Sequence, residues 1–396
     1  MRVRSGRCGV QCDGFYANCS ESNCKEPFCR RHTRAGEDMV KRTSTSCNGP
    51  AARRTIRYGS DFSGLGTTGI ALNKLVKRVP GLFARHTFSC DNNRTCKKII
   101  MHHDEPDVFY DDIMTRDNMS TPRCDVYSFT SPCQSFSTAG KGKGMSDPRG
   151  AVMLKALEYI EKRKPTAVLA ENVAALTTRH RNAIQYMEKF LTEKGYKVFW
   201  RILSTADYGI PQVRKRWYMM AVSSTHFRSR AGGVGLWPAP LARTIPLSRL
   251  ITPVPPHEWR ALPVQEPART QVEAVYAKVA EKGINPFTTP VVIDIGATEG
   301  WQTMQINKSP TITRGRASQF GYWVSTKGAR MALSEMAMLQ GFAPHELDWE
   351  GAQASKSAYA ACLGNAQSLN VVMAVLPHLL YFAKLATKAE FEAMVS

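Results

Sequence analysis

The chain has 396 residues, 43% of them hydrophobic, which is enough for one large domain with a sizeable core and a smaller lobe. It contains no apolar run of about 18 residues and no apolar segment behind its basic first residues, so we expect neither a membrane span nor a secretory signal. The net charge of +20 favours a polyanionic partner, with nucleic acid as the leading candidate, over a merely basic surface.

Residues 1–55 form a polar, basic segment that is rich in cysteine. Six of the eleven cysteines lie in the first 47 residues, and an odd total without a signal sequence favours reduced thiols inside a cell over disulfides. The segment shows little apolar periodicity, so it is either a flexible basic tail or organised by a metal. The spacing predicts one zinc ion, with Cys12 and Cys24 as alternative ligands, held by Cys8, Cys19, Cys29 and His32.

From Arg57 onward, short apolar runs alternate with helical patterns. Strands are predicted over residues 57–62, 86–90, 125–131, 167–170, 197–203 and 216–222. Helices are predicted over residues 67–77, near 94–102, and over 152–163, 182–194, 333–339 and 369–386. This alternation is typical of a doubly wound, mostly parallel, Rossmann-like α/β sheet, in which ligands bind beyond the carboxyl ends of the strands.

The proline content divides the rest of the chain. Residues 56–223 carry the regular alternation and are predicted to form the main domain. Residues 224–310 are dense in proline, as at Trp237-Pro238 and Val254-Pro255-Pro256, which predicts a smaller irregular lobe. Residues 311–396 return to helical patterns and are predicted to complete the main domain.

Three of the predicted strands end in residues that suit a nucleoside. Phe62, Gly64 and Gly66 lie in a loop between a strand and a helix, where glycines let backbone N–H groups approach a ligand. Asp91 ends the second strand, where its carboxylate could accept ribose hydroxyls, and Asp112-Ile113 ends a further strand predicted between residues 90 and 125, where an adenine amino group could bind. A tight strand-to-helix turn is the alternative interpretation of the loop. The absence of a phosphate-binding Lys-Ser/Thr pair argues against a nucleoside triphosphate.

Two further strand ends carry a cysteine and an acid. Ser131-Pro132-Cys133-Gln134 follows one strand, and Glu171-Asn172-Val173 ends the next. A thiolate that adds to an electron-poor heteroaromatic ring needs an acid to protonate the ring nitrogen, and this pair supplies both groups. A buried structural cysteine is the alternative.

The segment Gly209-Ile210-Pro211-Gln212-Val213-Arg214-Lys215-Arg216 is the most specific stretch of the chain. Strand alternation predicts that Gln212, Arg214 and Arg216 lie on one side of an extended strand. A guanidinium there can bind a carboxylate or a pyrimidine carbonyl in fixed geometry. A solvated edge strand is the alternative.

Together with Gly364-Asn365-Ala366, these motifs resemble those of the cytosine-5 DNA methyltransferase family over about residues 57–386. The resemblance implies an enzyme in which Cys133 attacks C6 of a flipped cytosine, Glu171 acts at N3 and Arg216 holds O2. It implies that Arg214 orients Glu171 or the backbone. S-adenosylmethionine is then the cofactor, bound by Phe62, Gly64, Gly66, Asp91, Asp112, Ile113 and Asn365. The implied substrate contacts are Pro132, Gln134, Ser137, Lys141, Lys143 and Gln212.

The chain departs from the family pattern at three positions: Asp91 stands where Glu is usual, Ser131 where Pro is usual, and Gln367 where an apolar residue is usual. The expected partner is double-stranded DNA, and the N-terminal segment is expected to add affinity for DNA or a chromatin partner. An intracellular location with that DNA is expected. Two alternatives remain open: a transfer RNA cytosine-5 methyltransferase, whose usual Cys-Phe-Thr tripeptide is absent, and a catalytically silent DNA- or chromatin-binding module.

Overall fold

The computed structural model of the protein describes residues 53–131, 148–297, 304–344 and 346–396. Its larger sheet contains strands β1 to β7, which run over Arg54–Asp61, Leu82–Cys90, Val108–Tyr110, Val126–Phe129, Ala167–Val173, Tyr196–Ser204 and Lys215–Ser223. The helices that accompany these strands, α1 to α5, run over Thr67–Val76, Arg94–His103, Pro148–Arg163, Leu176–Arg179 and Arg181–Glu193.

The strands of the larger sheet lie in the order β3-β2-β1-β4-β5-β7-β6. The five strands from β3 to β5 pair in parallel, whereas β7 is antiparallel to both β5 and β6. The strand order reverses between β1 and β4, which is where doubly wound sheets form a ligand crevice. The predicted fold class is confirmed, and the last two predicted strands correspond to β6 and β7, which pair with each other.

A second sheet belongs to the smaller lobe and has the strand order β11-β10-β8-β9. Its strands β8 to β11 run over Val291–Asp294, Met304–Ile306, Tyr322–Val324 and Ala329–Arg330. The helix α6, Ala268–Ala280, buries Val272, Val275 and Val279 at helical spacing against Ile293 and Trp323. This sheet extends on both sides of residue 310. The sequence does not predict β10 and β11, which follow residue 310, because they are too short to leave a pattern. The domain limits themselves stay predictions.

The remaining helices, α7 to α11, run over Arg314–Ser318, Leu333–Leu339, Lys356–Asn365, Leu369–Phe382 and Lys388–Val395. The helix predicted to reach residue 386 ends at Phe382, and α11 begins separately because the Thr387 side chain accepts a hydrogen bond from the Glu390 amide. Among the described residues no single helix is long and apolar enough to cross a membrane, and only the bent pair α9 and α10 meets that test when taken together.

Helices cover both faces of the larger sheet. One core contains the apolar side chains of α1 and α10, and the other contains those of α3 and α5. Alternation along β7 shows the two sides: Tyr218 and Met220 belong to the first core, and Trp217 and Met219 to the second. Both faces of the central strands are therefore buried, and ligands can reach the sheet only at the strand ends.

Candidate active site

The loop after β1 has an open backbone. Phe62, Gly64 and Gly66 all adopt positive φ, at 54°, 57° and 72°. A side chain at Gly64 would meet only the Phe62 carbonyl oxygen, at 4.0 Å, so the space above this loop is free for a ligand. Gly66 begins α1 without a side-chain cap, which leaves the positive end of that helix facing the same loop. This geometry fits the predicted cofactor loop.

Asp91 holds the cofactor loop in place. Its carboxylate accepts hydrogen bonds from the Gly64 amide and from the Asn93 amide, each at 2.8 Å. Burial raises the pKa of Asp91, and these two backbone hydrogen bonds oppose that rise. Each oxygen can accept a further hydrogen bond, so the predicted ribose contact is compatible with this arrangement.

Asp112, Ile113 and Asn365 are the other residues predicted to bind the cofactor. Asp112 is exposed two residues after β3, and its carboxylate accepts a hydrogen bond from the Met114 amide at 2.9 Å. Ile113 is buried, at 5% exposure, and Asn365 is exposed at the end of α9. Their contacts with S-adenosylmethionine stay predictions.

Two hydrogen bonds fix the chain that leads toward Cys133. The Thr130 hydroxyl donates to the Phe62 carbonyl oxygen at 2.7 Å, and the Asn172 amide donates to the Ser131 carbonyl oxygen at 2.8 Å. Ser131 is thereby held between the cofactor loop and the end of β5. The predicted nucleophile and its neighbours lie outside the described residues: Pro132, Cys133, Gln134, Ser137, Lys141 and Lys143.

Glu171 lies at the end of β5 with its side chain only 7% exposed. Its Oε1 atom lies 3.3 Å from Nε of Arg216, which belongs to the neighbouring strand β7. Burial raises the pKa of the Glu171 carboxyl, and the positive charges of Arg216 and Arg214 oppose that rise. A carboxyl whose pKa is raised in this way keeps its proton to a higher pH than an exposed glutamate does, which suits a proton donor.

Arg214 and Gln212 differ from the predicted arrangement. β7 begins only at Lys215, so the three residues do not share one face of a strand. Arg214 is buried and donates to the carbonyl oxygens of Ile312 and Ala366, at 2.8 and 2.6 Å. Burial lowers the pKa of Arg214 to about 9, which leaves it charged at neutral pH. These hydrogen bonds hold the backbone before α7 and after α9, and the role of Arg214 in orienting Glu171 stays a prediction.

The position of Gln212 disagrees with its predicted contact with the substrate. Its side chain is fully buried, and its amide donates to the Leu339 carbonyl oxygen at 2.6 Å and accepts from the Ile312 amide at 3.1 Å. Both ends of the amide are therefore occupied by backbone groups, and Gln212 joins the segment before β7 to α8. The sequence pattern could not reveal this, because the partners lie about 100 residues away.

The predicted zinc ligands in residues 1–55 lie outside the described residues. Within the part of the chain that the structure describes, no group of three or more His, Cys, Asp or Glu side chains could hold a metal. Zinc therefore stays a prediction.

A family model for C-5 cytosine-specific DNA methylases matches residues 56–380. The chain belongs to this family. The type II methyltransferase M.HaeII of Haemophilus aegyptius is 25% identical to this cytosine-5 DNA methylase over 281 residues, 69% of this chain and 79% of that relative. M.HhaI of Haemophilus parahaemolyticus is 33% identical over 110 residues, which are 28% of this chain and 34% of that relative.

Solved structures agree with the fold of this cytosine-5 DNA methylase. The Entamoeba histolytica methyltransferase EhMeth superposes with a TM-score of 0.59 and 16% identity, covering 84% of this chain and 99% of that one. The Dnmt2 methyltransferase of S. pombe superposes with a TM-score of 0.56 and 19% identity, covering 82% and 98%. The family assignment makes the protein an S-adenosylmethionine-dependent DNA methyltransferase.

A buried ion pair behind the cofactor loop of this methylase leaves no pattern in the sequence. Arg116 and Asp61 have fully buried side chains and form an ion pair, with Arg116 Nη2 2.8 Å from an Asp61 oxygen. Arg116 also donates to Asn118, and the Tyr127 hydroxyl donates to Asp61. The pair joins the last residue of β1 to the irregular segment that follows Asp112. No local pattern marks Arg116, since it lies outside any regular element.

Arg116→Met should lower the free energy of unfolding by about 3–5 kcal/mol, because it leaves the Asp61 carboxylate buried without its cation. Chemical denaturation measures this loss. The double variant Asp61→Asn with Arg116→Met removes both charges and should recover part of it. Equal stability of Arg116→Met and the wild type would show that the ion pair does not support the loop.

A second missed contact involves Gln367, the departure from the family pattern. Its side chain is 6% exposed, and its Oε1 accepts a hydrogen bond from the Thr68 hydroxyl at 3.1 Å. Thr68 lies in the first turn of α1, directly after the cofactor loop. The polar residue therefore ties the segment after α9 to the loop. An apolar side chain at position 367 could not make this contact.

Proposed function

We propose that the protein methylates C5 of a cytosine that is rotated out of a DNA duplex, through a covalent bond between Cys133 and C6. The observation that carries this proposal is the buried Glu171 carboxyl beside Arg216, at the same sheet edge as the cofactor loop. Rotation of the base costs a few kcal/mol of unstacking, which contacts in the pocket offset.

The proposed roles follow the chemistry of the pyrimidine ring. The Cys133 thiolate adds to C6 while Glu171 gives its proton to N3, which makes C5 nucleophilic. Arg216 donates hydrogen bonds to O2 and compensates the charge that develops on the ring. After C5 is methylated, a water molecule accepts the C5 proton, and the electron pair of that C–H bond forms the C5–C6 double bond. The bond between C6 and sulfur breaks at the same time, Cys133 leaves as the thiolate, and Glu171 recovers its proton from N3.

The residues around the loop fit S-adenosylmethionine. This cofactor, when bound, supplies an electrophilic methyl group. Phe62, Gly64 and Gly66 offer an open backbone with positive φ, and Asp91 has oxygen lone pairs left for hydroxyls. Asp112 and Ile113 would hold the adenine at the end of β3. The crevice between β1 and β4 is where this fold binds nucleotides.

The lobe that contains the second sheet is proposed to read the duplex around the target base. It lies beside the site, since the backbone of Val213 and Ser309 pairs at 2.8 Å just before β7. The net charge of +20 supplies a salt-dependent attraction to phosphates. The N-terminal segment is proposed to add to this attraction and to hold one zinc ion through Cys8, Cys19, Cys29 and His32.

A duplex that carries 5-fluorocytosine at a target site should become covalently attached to Cys133 in the presence of S-adenosylmethionine. Fluorine at C5 cannot leave as a proton does, so the covalent intermediate accumulates. Peptide mass spectrometry locates the adduct, and bisulfite sequencing of an ordinary duplex finds the methylated cytosine. No adduct, or an adduct on another cysteine, would contradict the mechanism. Trapping of a fluorinated RNA but not of DNA would reassign the substrate.

A further inference from the structure

One buried hydroxyl beside Glu171 has no role in the chemistry described so far. Tyr218 lies directly opposite Glu171 in the antiparallel register of β5 and β7, so both side chains lie on the same face of the sheet. Tyr218 is 1% exposed. Neither its hydroxyl nor Glu171 Oε1 has a hydrogen-bond partner among the described residues. A donor and an acceptor that both lack a hydrogen-bond partner among the described residues thus occupy adjacent positions.

The lack of a hydrogen-bond partner within the described part of the chain sets Tyr218 apart from other tyrosines buried in or beside this sheet. Their hydroxyls donate to a carboxylate or to a backbone carbonyl oxygen, as seen for Tyr127, Tyr159, Tyr196 and Tyr208. A buried hydroxyl without a partner costs free energy, and phenylalanine would fill the same space without that cost. A group that costs stability in the resting protein points to a use during turnover.

The groups around Glu171 indicate how the Tyr218 hydroxyl is used during turnover. Arg216 is the cation nearest to Oε1, and under the proposed function Arg216 also holds the cytosine O2. An arginine that turns to the base weakens its contact with Glu171 while the carboxyl gives up its proton. The new carboxylate then needs another donor. Burial and the charge of Glu171 keep the Tyr218 hydroxyl protonated, so it can only donate to that carboxylate.

We propose that Tyr218 is a positioning residue for Glu171, whose carboxylate accepts a hydrogen bond from the Tyr218 hydroxyl while the base is engaged. Tyr218 keeps its own proton throughout. This inference rests on the proposed function of Glu171 as the acid at N3. It assigns to Tyr218 the orientation of the carboxylate and the stabilisation of its ionised form.

Few other titratable groups face the Glu171 carboxyl. The titratable groups that face it from the described residues are Arg214, Arg216 and Tyr218, all in β7 or just before it. On the neighbouring strand β4, Tyr127 belongs to the opposite core. The titratable side chains of α10, His378 and Tyr381, bond the carbonyl oxygens of Gly235 and Ala231 in the smaller lobe.

Tyr218→Phe should slow methyl transfer about 10- to 100-fold, the effect of losing one hydrogen bond to a charged group. The variant destabilises ionised Glu171 during turnover, so the pH at which activity is lost by deprotonation should rise by about one unit. Single-turnover rates measured across pH with saturating cofactor and duplex test both effects. Thermal unfolding should show Tyr218→Phe at least as stable as the wild type, since the hydroxyl has no hydrogen-bond partner among the described residues.

Two comparisons separate this role from a structural one. Tyr196→Phe removes a buried hydroxyl that donates to the Pro165 carbonyl oxygen, and it should leave the pH profile of methyl transfer unchanged. In a Glu171→Gln background, Tyr218→Phe should not shift the pH profile further, because no carboxyl remains to titrate. A wild-type rate and profile in Tyr218→Phe would overturn the inference, as would an equal rate loss in both backgrounds. If the wild type methylates no cytosine, the proposed function is wrong, and the role inferred for Tyr218 is then wrong as well.

Discussion

Replacement of Cys133 by serine should abolish methyl transfer, a loss on the order of 10⁴-fold. An alcohol is a far weaker nucleophile than a thiolate at neutral pH, so the bond to C6 does not form. The substitution is nearly isosteric, so S-adenosylmethionine affinity and thermal stability should stay close to those of the wild type. Transfer of tritiated methyl groups to duplex DNA measures the rate, and calorimetry measures cofactor binding.

Cys124→Ser is the matched control for this experiment. Cys124 is buried, and burial raises the pKa of its thiol to about 12, so it cannot supply a thiolate near neutral pH. Its sulfur contacts the Tyr159 hydroxyl at 3.3 Å, a contact that a serine hydroxyl can also make. The control should remain active. Retention of near wild-type methylation in Cys133→Ser would remove Cys133 from the mechanism.

Residues at strand ends were the part of the site that the sequence could predict. Apolar runs mark β1, β4 and β5, and the residues that follow a run in a parallel sheet must lie at one edge. This reasoning brings the loop at Phe62 and the acid Glu171 to the same edge, as the structure shows. Helix α2 was equally predictable, because the Asn93 side chain caps it.

Contacts between distant segments could not be predicted, because they depend on tertiary packing and not on periodicity. Arg214 and Gln212 reach backbone groups about 100 to 150 residues later, so local alternation gave them the wrong surroundings. Arg116 pairs with Asp61 across 55 residues and lies outside any regular element. In the sequence, Tyr218 looks like any apolar residue of a buried strand. Only the register of β5 against β7 places it beside Glu171.

Glu171→Gln should slow methyl transfer by about 10²–10⁴-fold, the usual contribution of a general acid. A glutamine side chain can still donate a hydrogen bond to N3, but it has no proton to give. Because the interaction with N3 strengthens as the ring becomes anionic, affinity for the duplex should fall much less than the rate. Single-turnover kinetics and fluorescence anisotropy measure the two quantities separately, and equal losses in both would make Glu171 a structural residue.

The pH dependence of the wild type provides a sharper test of the same residue. Burial raises the pKa of Glu171 above its ordinary value of 4.5, so the protonated form persists into a higher pH range. Activity that requires this proton should fall as pH rises through the raised pKa, and this limb should be missing in Glu171→Gln. Glu335→Gln is the control, since Glu335 is a buried acid that pairs with Lys327 and has no proposed part in the chemistry. It should lower stability, because Lys327 loses its partner, yet keep the pH limb. A limb that survives in Glu171→Gln would assign the titration to a different group.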